Sequence, residues 1–326
     1  MTESLIVLVP LLTLAVVLLL AFTGCSLDVE GIAPNQDQQP PPGGTNGDGT
    51  NGDGPTGQPR SPTYENLVRQ GPLVAWWRLS EGGSGQTAID SAQLPALGFD
   101  GTYHGAYDLT QAGALAPKTP GDSSAEFTVD IDSGYVEVGY SQALNPPASF
   151  SLETWVNPGA QPGTQPEVLI SSRARTQNAY GFALLLDRDP ADPANPRWVA
   201  RLFSGASLKP TELTAPLGSP SRPDGWRHIV MTYRTAPDPA ANNATNVLRL
   251  YVDAIPAIDP NDPSHDYLAN VAYAAVPNTG PIPLRIASWN DNTPPDHFYS
   301  GRLDEVALYN ADLTKQSIGD HFAAAT

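Results

Sequence analysis

Few residues in this chain stand at spacings that catalysis can use. Glycoside hydrolysis needs two carboxylates about 5–10 Å apart across a cleft. On a strand that means Asp or Glu at i and i+2 or i+4, on one face. Asp304 and Glu305 are adjacent, so a regular strand turns them to opposite faces. Asp187 and Asp189 share a parity, but Pro190 comes next, and the run from Asp187 to Pro193 reads as a solvated loop. The histidines His104, His228, His265, His297 and His321 form no His-x-x-x-His or His-x-His pair, which argues against zinc. His228 lies in an apolar strand and reads as packed. No Gly-Lys-Ser/Thr phosphate loop and no Gly-x-Ser-x-Gly elbow occurs. The expectation is a protein that is not an enzyme.

Binding chemistry is better represented. In 149–156, Phe150, Leu152, Thr154 and Val156 share one face, and Ser151, Glu153 and Trp155 share the other. In 247–253, Leu248, Leu250 and Val252 oppose Arg249, Tyr251 and Asp253. A sheet packed on one side and open on the other gives this pattern. Trp155, Glu153, Arg249, Tyr251 and Asp253 are therefore candidate ligand residues. An aromatic ring can stack on a sugar while charged neighbours bond its hydroxyls. The alternative places Trp155 under a loop or against a second sheet. A second candidate is the loop with Trp289, Asn290 and Asp291, near Asp296 and His297; the alternative is an ordinary polar loop.

The elements that must position these residues begin after a leader. Residues 5–22 are almost entirely apolar and run into Thr23-Gly24-Cys25, the pattern of a cleaved export signal over residues 1–25. The stretch Phe22-Thr23-Gly24-Cys25 resembles a bacterial lipoprotein signal, which implies acylation of Cys25, the one cysteine in the chain. Two or more acyl chains give stable anchoring. The alternative is an uncleaved span. Both readings place the chain beyond residue 26 outside the cytoplasm, in the cell envelope. Residues 26–62 are rich in Pro, Gly, Asn and Asp, with no aromatics, and read as a disordered tether. About 35 such residues span roughly 30–35 Å. The formal net charge of -17 repels nucleic acid.

From 63 to 326 the pattern is that of one all-β domain. Short runs rich in Val, Ile, Tyr, Trp and Thr alternate with Gly, Pro, Asn and Asp, and together glycine (29) and proline (34) make up roughly a fifth of the chain. GTYHGAYDL (101–109) reads as a single strand. TKQSIGDHFA (314–323) alone looks helical, capped by Thr314 or Asp312.

Seven runs in order resemble the laminin-G-like, concanavalin A-like family: LVAWWRLS (73–80), Ala88 to Ser91, Tyr135 to Val138, SFSLETWVNP (149–158), GWRHIVMTY (225–233), LRLYVDA (248–254) and GRLDEVALYNADL (301–313). The resemblance implies a two-sheet antiparallel jelly-roll sandwich with a short C-terminal helix. It also implies binding of carbohydrate or a cell-surface protein, with a structural adhesion role or a divergent hydrolase as alternatives. The hydrolases of this fold carry a Glu-x-Asp-x-(x)-Glu strand, which is missing here. The family's tryptophan recurs at Trp155, which favours a structural role there. Many such domains hold one structural Ca²⁺, and Asp90 and Asp304 occupy motif positions where carboxylates could bind it. Ala254 stands where the family turns with glycine, so the hairpin there is expected to take another route, through the insertion Pro256 to Pro263.

Overall fold

The computed structural model describes residues 63–83, 85–92, 98–129, 132–159, 165–189, 192–278, 282–290 and 296–326. Contacts divide the chain into Met1–Thr56 and Gly57–Thr326, and every strand and helix named below lies in the second unit. The leader, the tether, Cys25 and Asp291 lie outside the described residues. Among the described residues no helix is long and apolar enough to cross a membrane.

The strands are β1 (Leu73–Trp77), β2 (Thr87–Ala88), β3 (Gly101–His104), β4 (Tyr107–Ala112), β5 (Ser123–Phe127), β6 (Tyr135–Val138), β7 (Phe150–Pro158) and β8 (Glu167–Arg175). They continue as β9 (Ala179–Asp189), β10 (Asp192–Ser204), β11 (Thr211–Pro216), β12 (Arg227–Arg234), β13 (Val247–Val252), β14 (Ile255–Pro256), β15 (Leu284–Ile286) and β16 (Gly301–Tyr309). Helix α1 (Tyr64–Gln70) precedes β1, and α2 (Lys315–Ala325) comes after β16. The first sheet has the order β14-β13-β12-β7-β16-β5-β4, with β1 also on β16. The second has the order β11-β10-β9-β8-β15-β6-β3-β2. Every pairing between these strands is antiparallel, and sequence neighbours are scattered over both sheets, as in a jelly roll.

Alternation builds the core. Phe150, Leu152 and Val156 of β7 meet Phe182, Leu184 and Leu186 of β9 between the sheets. Four local expectations need correcting. The run 101–109 is two strands in different sheets, because Gly105, at φ 67°, turns the chain between them. Asp187 is not in a loop but in β9, buried and bonded to Arg197 at 3.2 Å, with Asp189 opposite Asp192 in a hairpin. The β13–β14 hairpin keeps its two-residue turn: Asp253 and Ala254 take φ 52° and 62°. The Asp253 carboxylate holds that turn, accepting from His228 N at 2.8 Å, Arg227 Nε at 2.7 Å and Ser221 Oγ at 2.6 Å. Helix α1, unexpected from the sequence, is capped by the Thr63 side chain and carries a Glu65–Arg69 pair one turn apart.

Candidate functional site

The outer face of the first sheet is not open. Helices α1 and α2 lie over it and bury Trp155, Glu153 and Tyr251, while Arg249 is buried against Asp238 and Tyr267, and Asp253 within its own turn. Trp155 stacks on His228 at 4.8 Å and on Phe322 of α2 at 5.9 Å. Beneath the helices Glu153 gathers four donors: Tyr64 Oη at 2.9 Å, Tyr309 Oη at 2.9 Å, His228 Nε2 at 2.8 Å and His321 Nδ1 at 2.9 Å. Burial alone would raise its pKa, but the charge and hydrogen bonds of the two imidazoles outweigh that and hold it well below the usual carboxylate range. Burial and then the Glu153 charge push the Tyr64 and Tyr309 hydroxyls up. This cluster fastens the helices to the sheet. A polar-aromatic face reads as solvent-facing in the sequence because α1 is short and leaves little trace, and nothing in the 314–323 helix says which surface it covers.

The second predicted loop is equally occupied. Trp289 is buried on Val168, Ala183, Leu185, Val199 and Phe203, with the Arg173 guanidinium 3.9 Å above its ring. Asn290 mimics a strand: its side chain accepts from Arg173 N and donates to Arg173 O, each at 2.9 Å.

Asp90 and Asp304 do not share a site. Asp90 accepts from three backbone amides, Trp76 at 2.9 Å, Ala92 at 3.0 Å and Phe99 at 3.1 Å, and so organises a turn. Asp304 instead joins Asp122 and Glu305, with one oxygen from each within 4.8 Å of the others. The expectation that Asp304 and Glu305 diverge fails because β16 bulges between Asp304 and Ala307, with Glu305 at φ 52°. Gly113 packs close beside them, and a Cβ there would displace the carboxylates of Asp122 and Asp304. Burial, then the neighbouring acids, raise Asp304; burial pushes Glu305 up to about 8 despite Arg78 and Trp76.

As it stands this donor set does not fit Ca²⁺, which takes six to eight oxygens. Glu305 is bonded by Arg78 Nε at 3.0 Å and Trp76 Nε1 at 2.6 Å. Asp122 is bonded by Leu115 N at 2.9 Å, and Asp304 by Ala114 N at 2.7 Å. Asp304 Oδ1 is the one carboxylate oxygen of the three with no donor and no ion pair.

An open groove of about 500 Å³ lies elsewhere, at the edge where the chain passes from β3 to β4. Gly83, Gly105, Ala106, Tyr107, Asp108, Glu126 and Thr128 line it. Tyr107, half-buried, stacks on Tyr103 at 4.8 Å and donates to Gly85 O at 3.2 Å. Asp108 and Glu126 are opposite each other across β4 and β5. Thr110 and Gln111 bond the Asp108 carboxylate and lower its pKa. The Glu126 side chain makes no hydrogen bond or ion pair among the described residues. None of these groove residues was anticipated. The Asp108–Glu126 register depends on a pairing that the single-strand reading of 101–109 conceals.

Two antiparallel sheets with jelly-roll connections define a β-sandwich of the lectin type. Residues 130–319 match the sequence profile of the concanavalin A-like lectin/glucanases superfamily, and the chain belongs to that family. No curated protein matches it. The fold is similar to the binding domain of botulinum neurotoxin DC in complex with rat synaptotagmin II (10% identity, TM-score 0.50, 79% of this chain and 52% of that one). The same domain in complex with SialylT gives 10% identity and a TM-score of 0.49, covering 79% of this chain and 52% of the other. The chain thus spans about half the length of these structures, and at this identity the likeness is one of fold.

Proposed function

We propose that this chain is a non-catalytic binding module that takes a carbohydrate in the Tyr107 groove, displayed outside the cytoplasm on a lipid anchored through Cys25. The observation that carries the reading is the groove itself. An aromatic ring, two carboxylates and glycine backbone meet in an open depression, the combination that stacks on a sugar face and bonds its hydroxyls. Membership of a lectin and glucanase family supports a sugar ligand. A glycosidase needs one carboxyl raised to act as its acid. Among the described residues the carboxyls that are raised, Asp122, Asp304 and Glu305, all have buried side chains, which disfavours catalysis. A cell-surface protein is the other ligand class this fold accommodates.

A glycan array probed with the purified chain tests the proposal. Retention of one glycan class, lost in Tyr107→Ala and weakened in Glu126→Gln, is the expected result. Retention unchanged by both substitutions would move the site elsewhere, and no retained glycan would leave the protein-ligand reading in its place. Fractionation of cells tests the anchor, with the wild-type chain expected in membranes and Cys25→Ala in the soluble fraction.

A further inference from the structure

Asp122, Asp304 and Glu305 each place one oxygen within 4.8 Å of the others, the spacing of ligands about a metal ion, and a cationic side chain already bonds two of the three. Arg78, directly after β1, places Nε 3.0 Å from Glu305 Oε1 and Nη2 3.6 Å from Asp122 Oδ1. Its guanidinium also lies 5.2 Å from the Trp76 ring centre, and the Trp76 indole donates to the other oxygen of Glu305. One guanidinium cannot balance three carboxylates. The remainder is met by protons, since burial raises both Asp304 and Glu305 and Asp304 hydrogen-bonds Asp122.

We propose that the Arg78 guanidinium occupies the place of a divalent cation in this centre, and that removing it opens a site for an oxygen-seeking divalent cation held by Asp122, Asp304 and Glu305. A planar, permanently charged group with several donors suits this place, because it bonds two carboxylates at once without being dehydrated like a small ion. Removing it leaves three acids within 4.8 Å of one another. A divalent cation then supplies charge that protons alone supply poorly above neutrality.

Thermal unfolding of the full chain, in EDTA and in millimolar CaCl₂, reads this directly, because an ion that binds only the folded state must raise its midpoint. Wild type is expected to unfold at the same temperature in both. Arg78→Met is expected to unfold lower in EDTA and to rise by several degrees in CaCl₂, and adding Asp304→Asn should abolish the rise. A wild-type midpoint that falls in EDTA would overturn the proposal, as would an Arg78→Met midpoint indifferent to Ca²⁺, Mg²⁺ and Mn²⁺. If Arg78→Met does not fold during expression, refolding decides. Recovery only with CaCl₂ supports the proposal, and equal failure with and without it counts against it.

Discussion

His321 of α2 and Glu153 of β7 are bonded at 2.9 Å, with both side chains buried. Burial lowers the pKa of His321, but the Glu153 charge and hydrogen bond and the backbone of Leu67 in α1 outweigh that and raise it. A single ring therefore ties both helices to the sheet. Tyr64 extends the same fastening from the first residue of α1.

Breaking it by Glu153→Gln leaves His321 without its anionic partner. The expected cost is about 3–5 kcal/mol, the range for buried pairs that lose one member. Urea unfolding of the single variants and of Glu153→Gln/His321→Gln measures it. The double variant should lose clearly less than the sum of the two. Strict additivity would mean that the two residues act separately.

Stability should fall as pH rises from about 5 to 9. Glu305 folds with a pKa of about 8 against an ordinary 4.5, so between those values the unfolded chain releases a proton that the folded chain keeps. His321, raised above 6.5, likewise contributes below 6.5 and loses that contribution through its folded value. Glu153 acts oppositely, its contribution fading only as pH drops below about 4.5. Melting temperature against pH should thus peak near mild acidity, and Glu305→Gln should flatten the alkaline limb. A wild-type profile level from pH 5 to 9 would contradict the raised Glu305.

Trp155→Ala and Trp289→Ala should destabilise by about 3–5 kcal/mol each, as large buried rings do, without changing the specificity of glycan retention. Calorimetry and the array separate the two effects. Loss of retention at unchanged stability would return these tryptophans to the binding surface.

Tyr107→Phe should keep the groove's stacking surface while losing the bond to Gly85 O. Its affinity should stay within a few fold of wild type, whereas Tyr107→Ala, which removes the ring, should lose about 1 kcal/mol or more. Titration calorimetry with a retained glycan measures both.

The sandwich was legible because period-2 patterning is written residue by residue. Phe150, Leu152 and Val156 do face the core, as their spacing requires. Over the other face, α2 was legible as a helix with Thr314 as a candidate cap, but not where it packs, and α1 was not legible. Helix α1 has only seven residues and buries two of them, Tyr64 and Val68, too few to impose a helical period on the sequence. Its one local signal was Thr63 at the cap position, with Glu65 and Arg69 a turn apart. The pairing of Glu305 with Asp304 escaped for another reason: a one-residue bulge cancels the alternation from which faces are read. The groove escaped because Asp108 and Glu126 become neighbours only through strand pairing.

Strand β1 runs antiparallel to β16, with Leu73 opposite Tyr309 and Trp77 opposite Val306, so the opening and closing segments of the domain are hydrogen-bonded neighbours. Such a topology tolerates circular permutation. A short peptide joining the two ends, with a new break at an exposed turn such as Asp262–His265, would preserve every rung of both sheets. For the same reason the whole sandwich could be spliced into the surface loop of a host protein without separating the insertion points.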